Sequence, residues 1–187
     1  EVMPTLFRGM ITMSIRWIIL TRPTRTYFGL KDIAQYLLVD KAVKELMIDT
    51  QVIPVPCVRY KSGIAISSRL MRLPRDKLQE FQRIYQALEQ GRNIVASGIT
   101  EAKDIIDKVT SFLNPQSFKY FTLKYIKLAE PLDLTEPKKI SVPFIIHIVV
   151  TDGEKNYFEG HLIQSEKELH EGPATIWLKD GYPGIVN

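Results

Sequence analysis

Residues 8–55 alternate between helical and β-type segments, and this alternation limits the fold more than any other feature of the chain. The predicted elements are a helix over residues 8–21, a strand over 26–28, an amphipathic helix over about 32–46, and the β-rich stretch TQVIPVPC. Pro23 discourages continuation of the first helix, and Pro54 and Pro56 place the last stretch at a sheet edge or strand end. The order helix, strand, helix, strand predicts part of a parallel α/β sheet.

The pattern changes at Pro74. The stretch PRDKLQEFQRIYQALEQG predicts an amphipathic helix that ends at Gly91, and TEAKDIIDKVTSFL predicts a second helix with Thr100 as its N-cap. Three β-type runs follow: FKYFTLKYIKLAE, PFIIHIVV and NYFEGHLI. The Asp-Gly pair of TDGEK predicts a hairpin between the last two runs. We therefore expect an α/β piece over residues 1–72, a small α+β domain with an antiparallel sheet over 73–164, and a tail over 165–187.

Charge and cysteine content restrict the classes of function. The 25 basic residues against 21 acidic ones give a formal charge of +4, which fits an anionic ligand and does not by itself indicate nucleic acid. The single cysteine, Cys57, excludes an internal disulfide framework and a cysteine-rich zinc site. The apolar run MITMSIRWIIL is too short to span a membrane and contains Arg16. We expect a protein of the reducing cytoplasm that does not bind a membrane.

The stretch FGLKD, residues 28–32, places polar residues where a strand is predicted to turn into a helix. In α/β sheets, ligands bind beyond the carboxyl ends of the strands, and the next helix offers free N–H groups to an anion. Gly29 would permit a tight turn, Lys31 would add a cation, and Asp32 could accept hydrogen bonds from a ribose. The alternative is a solvated surface lysine followed by an aspartate that acts as a helix N-cap.

A second polar loop, within PCVRYKSGIAISSRL, follows the next predicted strand. Gly63, Ser67, Ser68 and Arg69 lie in this loop, and Arg59 lies just upstream. Backbone amides, hydroxyls and a guanidinium together suit a polyphosphate, whose charge must be met by convergent donors and cations. The alternative is an ordinary Gly/Ser turn followed by an arginine on a solvated face. Because neighbouring parallel strands end at one sheet edge, we expect the two loops to converge.

Four segments carry a resemblance to a known family: FRGM (7–10), RPTRTYFGLKDIAQ (22–35), IPVPCVR (53–59) and SGIAISSR (62–69). In order and spacing they resemble the second half of the pantothenate synthetases, also called pantoate-β-alanine ligases. The resemblance is strong over residues 7–69, weaker to about Gln164, and absent in the tail. It implies that residues 1–72 belong to a Rossmann-like nucleotidyltransferase sheet and that residues 73–164 form a lid domain over the active site.

The resemblance implies a two-step ligation. Pantoate carboxylate attacks the α-phosphorus of ATP to give pantoyl adenylate and pyrophosphate, and β-alanine then attacks the adenylate to give pantothenate and AMP. Magnesium is expected to accompany ATP, with no dedicated metal site in this chain. Such chemistry depends on positioning and charge neutralisation more than on a covalent nucleophile.

The resemblance also implies roles for individual residues. Those expected on the ATP phosphates, with a catalytic role, are Lys31, Ser67, Ser68 and Arg69. Those expected at the ribose and adenine are Gly29, Asp32, and the backbone around Val58 and Ile66. Gln35 is expected to hydrogen-bond pantoate.

The sequence departs from the family pattern in three places. Ala34 replaces one glutamine of the usual KDxQQ, and Leu70 stands where asparagine usually follows SSR. The family's first half, with its HxGH-type signature, is missing, and the three histidines of this chain do not have that spacing. Together with a start at Glu1, this leads us to expect the C-terminal part of a ligase that is inactive without an N-terminal half.

Several alternatives stay open from the sequence. The chain could be a degenerate relative without catalysis, or a basic module that binds nucleic acid, although we expect no nucleic-acid partner. It could also be a sister nucleotidyltransferase for another carboxylic acid, because phosphate-binding residues do not specify the acyl substrate. A homodimer is a further open alternative.

Overall fold

The structure, a computed structural model, describes residues 4–178, with side chains from Phe7 onward. It divides into two compact units, Glu1–Pro56 and Cys57–Asn187, here called the first and second units. The division falls before residues 57–72 because Tyr60, Ile64 and Leu70 pack into the apolar core of the second unit. The domain boundaries expected after residues 72 and 164 stay predictions, because compactness alone does not assign functional domains.

The first unit contains two helices and a two-stranded sheet. Its elements are α1 (Pro4–Thr21), β1 (Arg25–Gly29), α2 (Ile33–Glu45) and β2 (Gln51–Val55). β1 and β2 pair in parallel, from Arg25 opposite Gln51 to Gly29 opposite Val55. The predicted parallel pairing is therefore confirmed.

The core of the first unit is small. The buried apolar residues that cluster in it are Ile15, Ile18, Val39, Val43 and Val52. The four-residue spacing of Val39 and Val43 places both on one side of α2.

Helix α1 carries a second, exposed apolar stripe formed by Met13, Trp17 and Leu20. These side chains are 48%, 61% and 71% exposed, and their spacing of four and three residues places them along one line of the helix. We call this set the α1 stripe. A helix with apolar residues on its outer side is typical of one that contacts a further partner.

The second unit contains a three-stranded antiparallel sheet, in the order β4-β5-β6, and a short parallel pair, β3-β7. Its elements are β3 (Cys57–Arg59), α3 (Arg75–Ala96), α4 (Ala102–Leu113), β4 (Thr122–Ala129), β5 (Phe144–Thr151), β6 (Asn156–Ile163), α5 (Glu166–Glu171) and β7 (Thr175–Trp177). The predicted α+β composition and antiparallel sheet are confirmed.

The core of the second unit is larger and continuous. Phe81 of α3, Phe121 and Tyr157 of β6 meet pairwise edge to face, with ring centres 5.4–6.0 Å apart. The predicted hairpin is present, since β5 and β6 pair antiparallel across a turn in which Gly153 has φ +94°. The side chain of Asp152 accepts the N–H groups of Glu154 and Lys155 in that turn.

Two predicted helix boundaries are wrong. α3 does not end at Gly91 but continues to Ala96. A Cβ at residue 91 would lie 2.2 Å from Ile146 Cδ1, so glycine at this position allows the helix to pack closely on the sheet. Thr100 is not an N-cap, because α4 begins at Ala102. The Thr100 carbonyl instead accepts the Ile140 N–H at 2.7 Å.

The first part of the predicted tail is structured. Residues 165–178 form α5 and β7, and β7 pairs in parallel with β3 from Thr175 opposite Cys57 to Trp177 opposite Arg59. The rest of the predicted tail, residues 179–187, lies outside the described residues.

Candidate functional site

Gly29 is the last residue of β1, and one turn of 3-10 helix over Leu30–Asp32 leads from it to α2. Gly29 has φ −71° and ψ 133°, a conformation open to any residue, so the predicted tight turn does not explain the glycine. A Cβ at this position would meet nothing within 4 Å. The missing side chain therefore leaves open space at the end of the strand.

Lys31 and Asp32 lie on this turn, next to the open space. The Lys31 Nζ atom is 3.7 Å from Asp32 Oδ1, and the side chains are 24% and 65% exposed. Asp32 occupies the N-cap position of α2, but its side chain makes no capping hydrogen bond. The alternative of an N-cap aspartate is thus right in position, while the carboxylate is not engaged by the helix.

Gln35 lies in the first turn of α2 and is half-buried, as is Ala34 beside it. Asp32 and Gln35 have the spacing of a capping box, yet no side-chain cap forms. Within residues 4–178 the Gln35 amide makes no hydrogen bond. The polar side chains of Asp32 and Gln35 therefore lie at the N-terminal end of α2 and do not cap the helix.

A tight loop follows β3 in the second unit and turns at Gly63. The Gly63 N–H donates to the Tyr60 carbonyl at 2.8 Å, and the Tyr60 N–H donates to the Ile64 carbonyl at 2.9 Å. Gly63 has φ +86°, and a Cβ there would lie 2.0 Å from Tyr85 Cδ1. Both the backbone conformation and the approach of Tyr85 require glycine at this position.

Ser67, Ser68 and Arg69 come directly after this loop. Ser67 Oγ accepts the Arg69 N–H at 3.3 Å, which orders the start of the segment. Ser68 and Arg69 are exposed. Among the described residues, neither the Ser68 hydroxyl nor the Arg69 guanidinium makes a hydrogen bond or an ion pair, so both can bind an anion.

Val58 and Ile66, predicted at adenine, lie side by side. The Ile66 N–H donates to the Val58 carbonyl at 2.9 Å, and Val58 is the middle residue of β3. Ile66 is 40% exposed. The backbone N–H of Ile66 is thus already used within the protein.

Arg59, which lies just upstream of the candidate anion-binding residues, is occupied within the protein. The side chain is buried, and Nη1 donates to the Gly63 carbonyl at 2.8 Å. Nη2 lies 2.9 Å from Oε1 of Glu159, and the guanidinium carbon is 4.8 Å from the Tyr85 ring centre. This role of Arg59 was not predictable from the sequence, because its partner, Glu159 on β6, lies far along the chain and carries no local signal.

A second buried arginine lies on α3. Arg92 Nη2 is 3.0 Å from Oε2 of Glu89, and Arg92 Nη1 donates to the Leu169 carbonyl at 2.5 Å. The other Glu89 oxygen is 3.3 Å from Nδ1 of His161. Burial, together with the charges of Arg59 and Arg92, lowers the pKa of His161 well below its usual value, so the ring is neutral.

The predicted site residues divide between the two units. Those in the first unit are Gly29, Lys31, Asp32 and Gln35, and those in the second are Val58, Ile66, Ser67, Ser68 and Arg69. Within each unit they are grouped around one strand end. The expected convergence of the two groups stays a prediction.

Two classes of feature are absent from the described part of the chain. Among residues 4–178, no helix is both long enough and apolar enough to cross a membrane. The same residues contain no group of three or more His, Cys, Asp or Glu side chains that could hold a metal ion.

Comparison with known sequences identifies relatives. A family model described as pantoate-beta-alanine ligase matches residues 1–157. The pantothenate synthetase of Coprothermobacter proteolyticus is 34% identical over 137 residues, which cover 72% of this chain and 48% of the relative. That of Fervidobacterium nodosum is 28% identical over 160 residues, which cover 86% and 56%. The chain spans about half the length of the curated relatives it matches.

Solved structures show the same fold. The crystal structure of pantothenate synthetase from Thermus thermophilus matches with a TM-score of 0.79 at 25% identity, over 88% of this chain and 58% of that chain. A pantoate-beta-alanine ligase from Francisella tularensis, crystallised with beta-gamma ATP and beta-alanine, matches in fold with a TM-score of 0.59 at 24% identity, over 85% and 51%. The predicted fold class is confirmed.

Proposed function

Because the chain belongs to the pantoate-β-alanine ligase family, we propose that it supplies the C-terminal part of a site that joins pantoate and β-alanine at the expense of ATP. In the proposed reaction, pantoate carboxylate attacks the α-phosphorus of ATP and expels pyrophosphate. The amine of β-alanine then attacks the acyl carbon of pantoyl adenylate and expels AMP. The proposal includes a cytoplasmic location.

The observation that carries this proposal is the segment Ser67–Arg69. It follows a turn fixed by Gly63, and in the described residues the Ser68 hydroxyl and Arg69 guanidinium have no partner of their own. Hydroxyl and guanidinium donors held on a rigid turn suit the oxygens of a polyphosphate. Lys31, only 24% exposed at the end of β1, would add a second cation for the same phosphates.

The residues at the end of β1 would bind the ribose of ATP and pantoate. The open space at Gly29 would admit a ribose, and the Asp32 carboxylate, which makes no capping hydrogen bond, would accept from its hydroxyls. Gln35, whose amide has no hydrogen bond within residues 4–178, would bind pantoate. Any contact of Ile66 with adenine would use its carbonyl or side chain, because its N–H already donates to Val58.

Magnesium enters this proposal only as part of the nucleotide substrate. Among residues 4–178 there is no group of three or more His, Cys, Asp or Glu side chains that could hold a metal ion. We expect the ion to be held by ATP phosphates, with Lys31 and Arg69 compensating the remaining negative charge.

The proposed partner is the N-terminal half of the same family fold, on this or another polypeptide. Two features of the first unit support it. The described residues contain only two strands of its parallel sheet, and a sheet of two strands is marginally stable alone in water. Parallel sheets are also normally covered on both faces. The α1 stripe adds an exposed apolar surface next to that sheet in sequence. A complementary half of the fold would bury both.

Pyrophosphate release from Mg-ATP and pantoate tests the function. The chain is assayed alone and then mixed with the separately expressed N-terminal half of a family member. We expect release only in the mixture. No release from a mixture that forms a complex would refute catalysis by this chain, and release by the chain alone would refute the need for the other half. A homodimer that resists the added half would refute the proposed partner.

Nucleotide binding tests the site. Lys31→Ala and Arg69→Ala should each weaken Mg-ATP binding by roughly 1–3 kcal/mol, which is about five- to 150-fold in Kd. Lys41→Ala and Lys103→Ala are the matched controls, because these lysines are exposed on α2 and α4. Equal affinity in all four folded variants would contradict the site assignment. Salt-sensitive RNA binding that ATP does not displace would favour a nucleic-acid module instead.

A further inference from the structure

We propose that the buried pair Arg59–Glu159 positions the phosphate-binding segment, and that this is the main role of the pair. The inference rests on the proposed function of Ser68 and Arg69. Neither Arg59 nor Glu159 is expected to touch a ligand, because their side chains are only 2% and 1% exposed.

The Arg59 guanidinium joins three parts of the second unit. It donates to the Gly63 carbonyl at the tip of the loop, pairs with Glu159 on β6, and lies against the Tyr85 ring on α3. Tyr85 in turn leaves no room for a side chain at residue 63. The tip of the loop is therefore fixed relative to α3 and β6 through one side chain.

Stability alone gives a weak reason for this pair. Removing two charges from water is costly, and well-packed apolar side chains of similar size often stabilise a core equally well or better. An apolar side chain cannot donate a directional hydrogen bond to the Gly63 carbonyl. What Arg59 adds over such a replacement is the fixed geometry of the loop.

The fixed geometry extends to the segment that would bind phosphate. Arg59 and Ala65 form an antiparallel bridge, and the Ile66 N–H donates to Val58. Ser67 follows at once, so residues 63–66 set where Ser68 and Arg69 begin. If the bond to Gly63 is lost, the turn can relax, and the two phosphate donors are no longer held together.

The test uses the full 187-residue chain and the double variant Arg59→Met with Glu159→Leu. Removing both charges avoids an unpaired buried ion, which would endanger folding. We expect Mg-ATP to bind roughly tenfold more weakly or worse, because its donors lose their common orientation. We also expect faster hydrogen exchange at the Gly63 and Ile66 amides.

The matched control is Arg92→Met with Glu89→Gln, a second buried arginine pair on α3. Arg92 holds the Leu169 carbonyl and does not contact the loop in the described structure. A general loss of stability would weaken ATP binding in both double variants, whereas positioning affects only the Arg59 variant. Arg59→Lys, which keeps the charge but loses the forked donor geometry, should bind with intermediate affinity.

Wild-type affinity and wild-type exchange in a folded Arg59/Glu159 double variant would overturn the inference. So would equal weakening by the Arg92/Glu89 control. If the wild-type chain binds no Mg-ATP either alone or in the mixture with the N-terminal half, the proposed function fails, and the exchange rates still decide whether Arg59 orders the loop. If the double variant does not fold, the same two measurements on Arg59→Lys replace it.

Discussion

The two compact units differ in how completely they bury their own apolar surface. The second unit has a continuous core in which the rings of Phe81, Phe121 and Tyr157 pack edge to face. The first unit has a core of five residues and leaves the α1 stripe and Tyr27, 62% exposed, uncovered. Among the described residues, the second unit therefore buries most of its apolar surface within itself, whereas the first unit leaves a larger share of its apolar side chains exposed.

The difference has a physical cause in the type of sheet. An antiparallel sheet can be covered by helices on one face and still be stable. Here α3 contacts β5 and β6, and α4 contacts β4. A parallel sheet needs crossover helices on both faces, and two strands alone are marginal in water. Residues 4–56 supply only two strands and two helices.

Phe81→Ala is expected to have the largest effect on stability, because it removes a side chain from the core of the second unit. The side chain is 2% exposed, and its loss should lower the free energy of unfolding by about 3–5 kcal/mol. Phe112→Ala, on the 50% exposed side of α4, is the control and should change stability by about 0.5 kcal/mol or less. Urea unfolding followed by circular dichroism measures both, and equal effects would contradict the described core.

Gly63→Ala tests whether the loop depends on close packing as well as on backbone conformation. Gly98 is the matched control, because it has a similar φ of +92° but a Cβ added there would meet nothing within 4 Å. Gly98→Ala should cost about 1–2 kcal/mol from backbone strain alone, and Gly63→Ala should cost more because Tyr85 is in the way. Thermal unfolding of the two variants measures the difference. Equal costs would mean that Tyr85 moves aside freely.

Asp152 should give the second unit an acid-dependent stability. Burial alone would raise its pKa, but four hydrogen bonds outweigh burial and lower the pKa to about 2, from a usual 3.8. The donors are Lys155 N, Lys77 Nζ, Tyr157 OH and Glu154 N. The contribution, on the order of 1 kcal/mol, is therefore complete above about pH 4 and is lost as pH falls towards 2.

The variant Asp152→Asn should show a flatter stability profile between pH 4 and 2. Asp104→Asn, on the exposed side of α4, is the control. Urea unfolding at pH 5, 3 and 2 compares the three proteins. A wild-type profile as flat as that of Asp152→Asn would contradict the described hydrogen bonds.

Trp17→Gln in the α1 stripe should have the smallest effect on stability, about 0.5 kcal/mol or less, because the side chain is already 61% exposed. It should weaken association with the N-terminal half of the family fold, measured by analytical ultracentrifugation of the mixture. Ile15→Ala, which removes a buried side chain from the same helix, should instead lower stability. Unchanged association of a Trp17→Gln chain would place the docking surface elsewhere.

Features encoded by neighbouring residues were predictable from the sequence. The parallel pairing of β1 and β2 followed from alternating helical and β-type periodicity, and the hairpin followed from Asp152-Gly153 between two β-type runs. The glycine of the second loop also has its expected role in a turn, with φ +86° at Gly63. In each case the predictive signal is a local sequence pattern, although the paired residues of β1 and β2 themselves lie far apart in the chain.

Features that depend on distant partners were not predictable. Gly91 resembles a helix end locally, and only its contact with Ile146 on β5 shows why the helix continues. The guanidinium of Arg59 resembles an anion ligand until Glu159 is placed beside it. Gly29, in contrast, has an ordinary conformation, so its role in the candidate site depends on a ligand rather than on the backbone.

The pairing of β3 with β7 brings the beginning of the second unit next to its last described residues. Cys57 lies opposite Thr175, and the Leu178 N–H donates to the Arg59 carbonyl at 2.8 Å. A folded unit whose two ends meet can be inserted into, or moved between, longer chains without disturbing its core. A circular permutant that joins residue 178 to residue 57 through a short linker should therefore retain the fold of this unit.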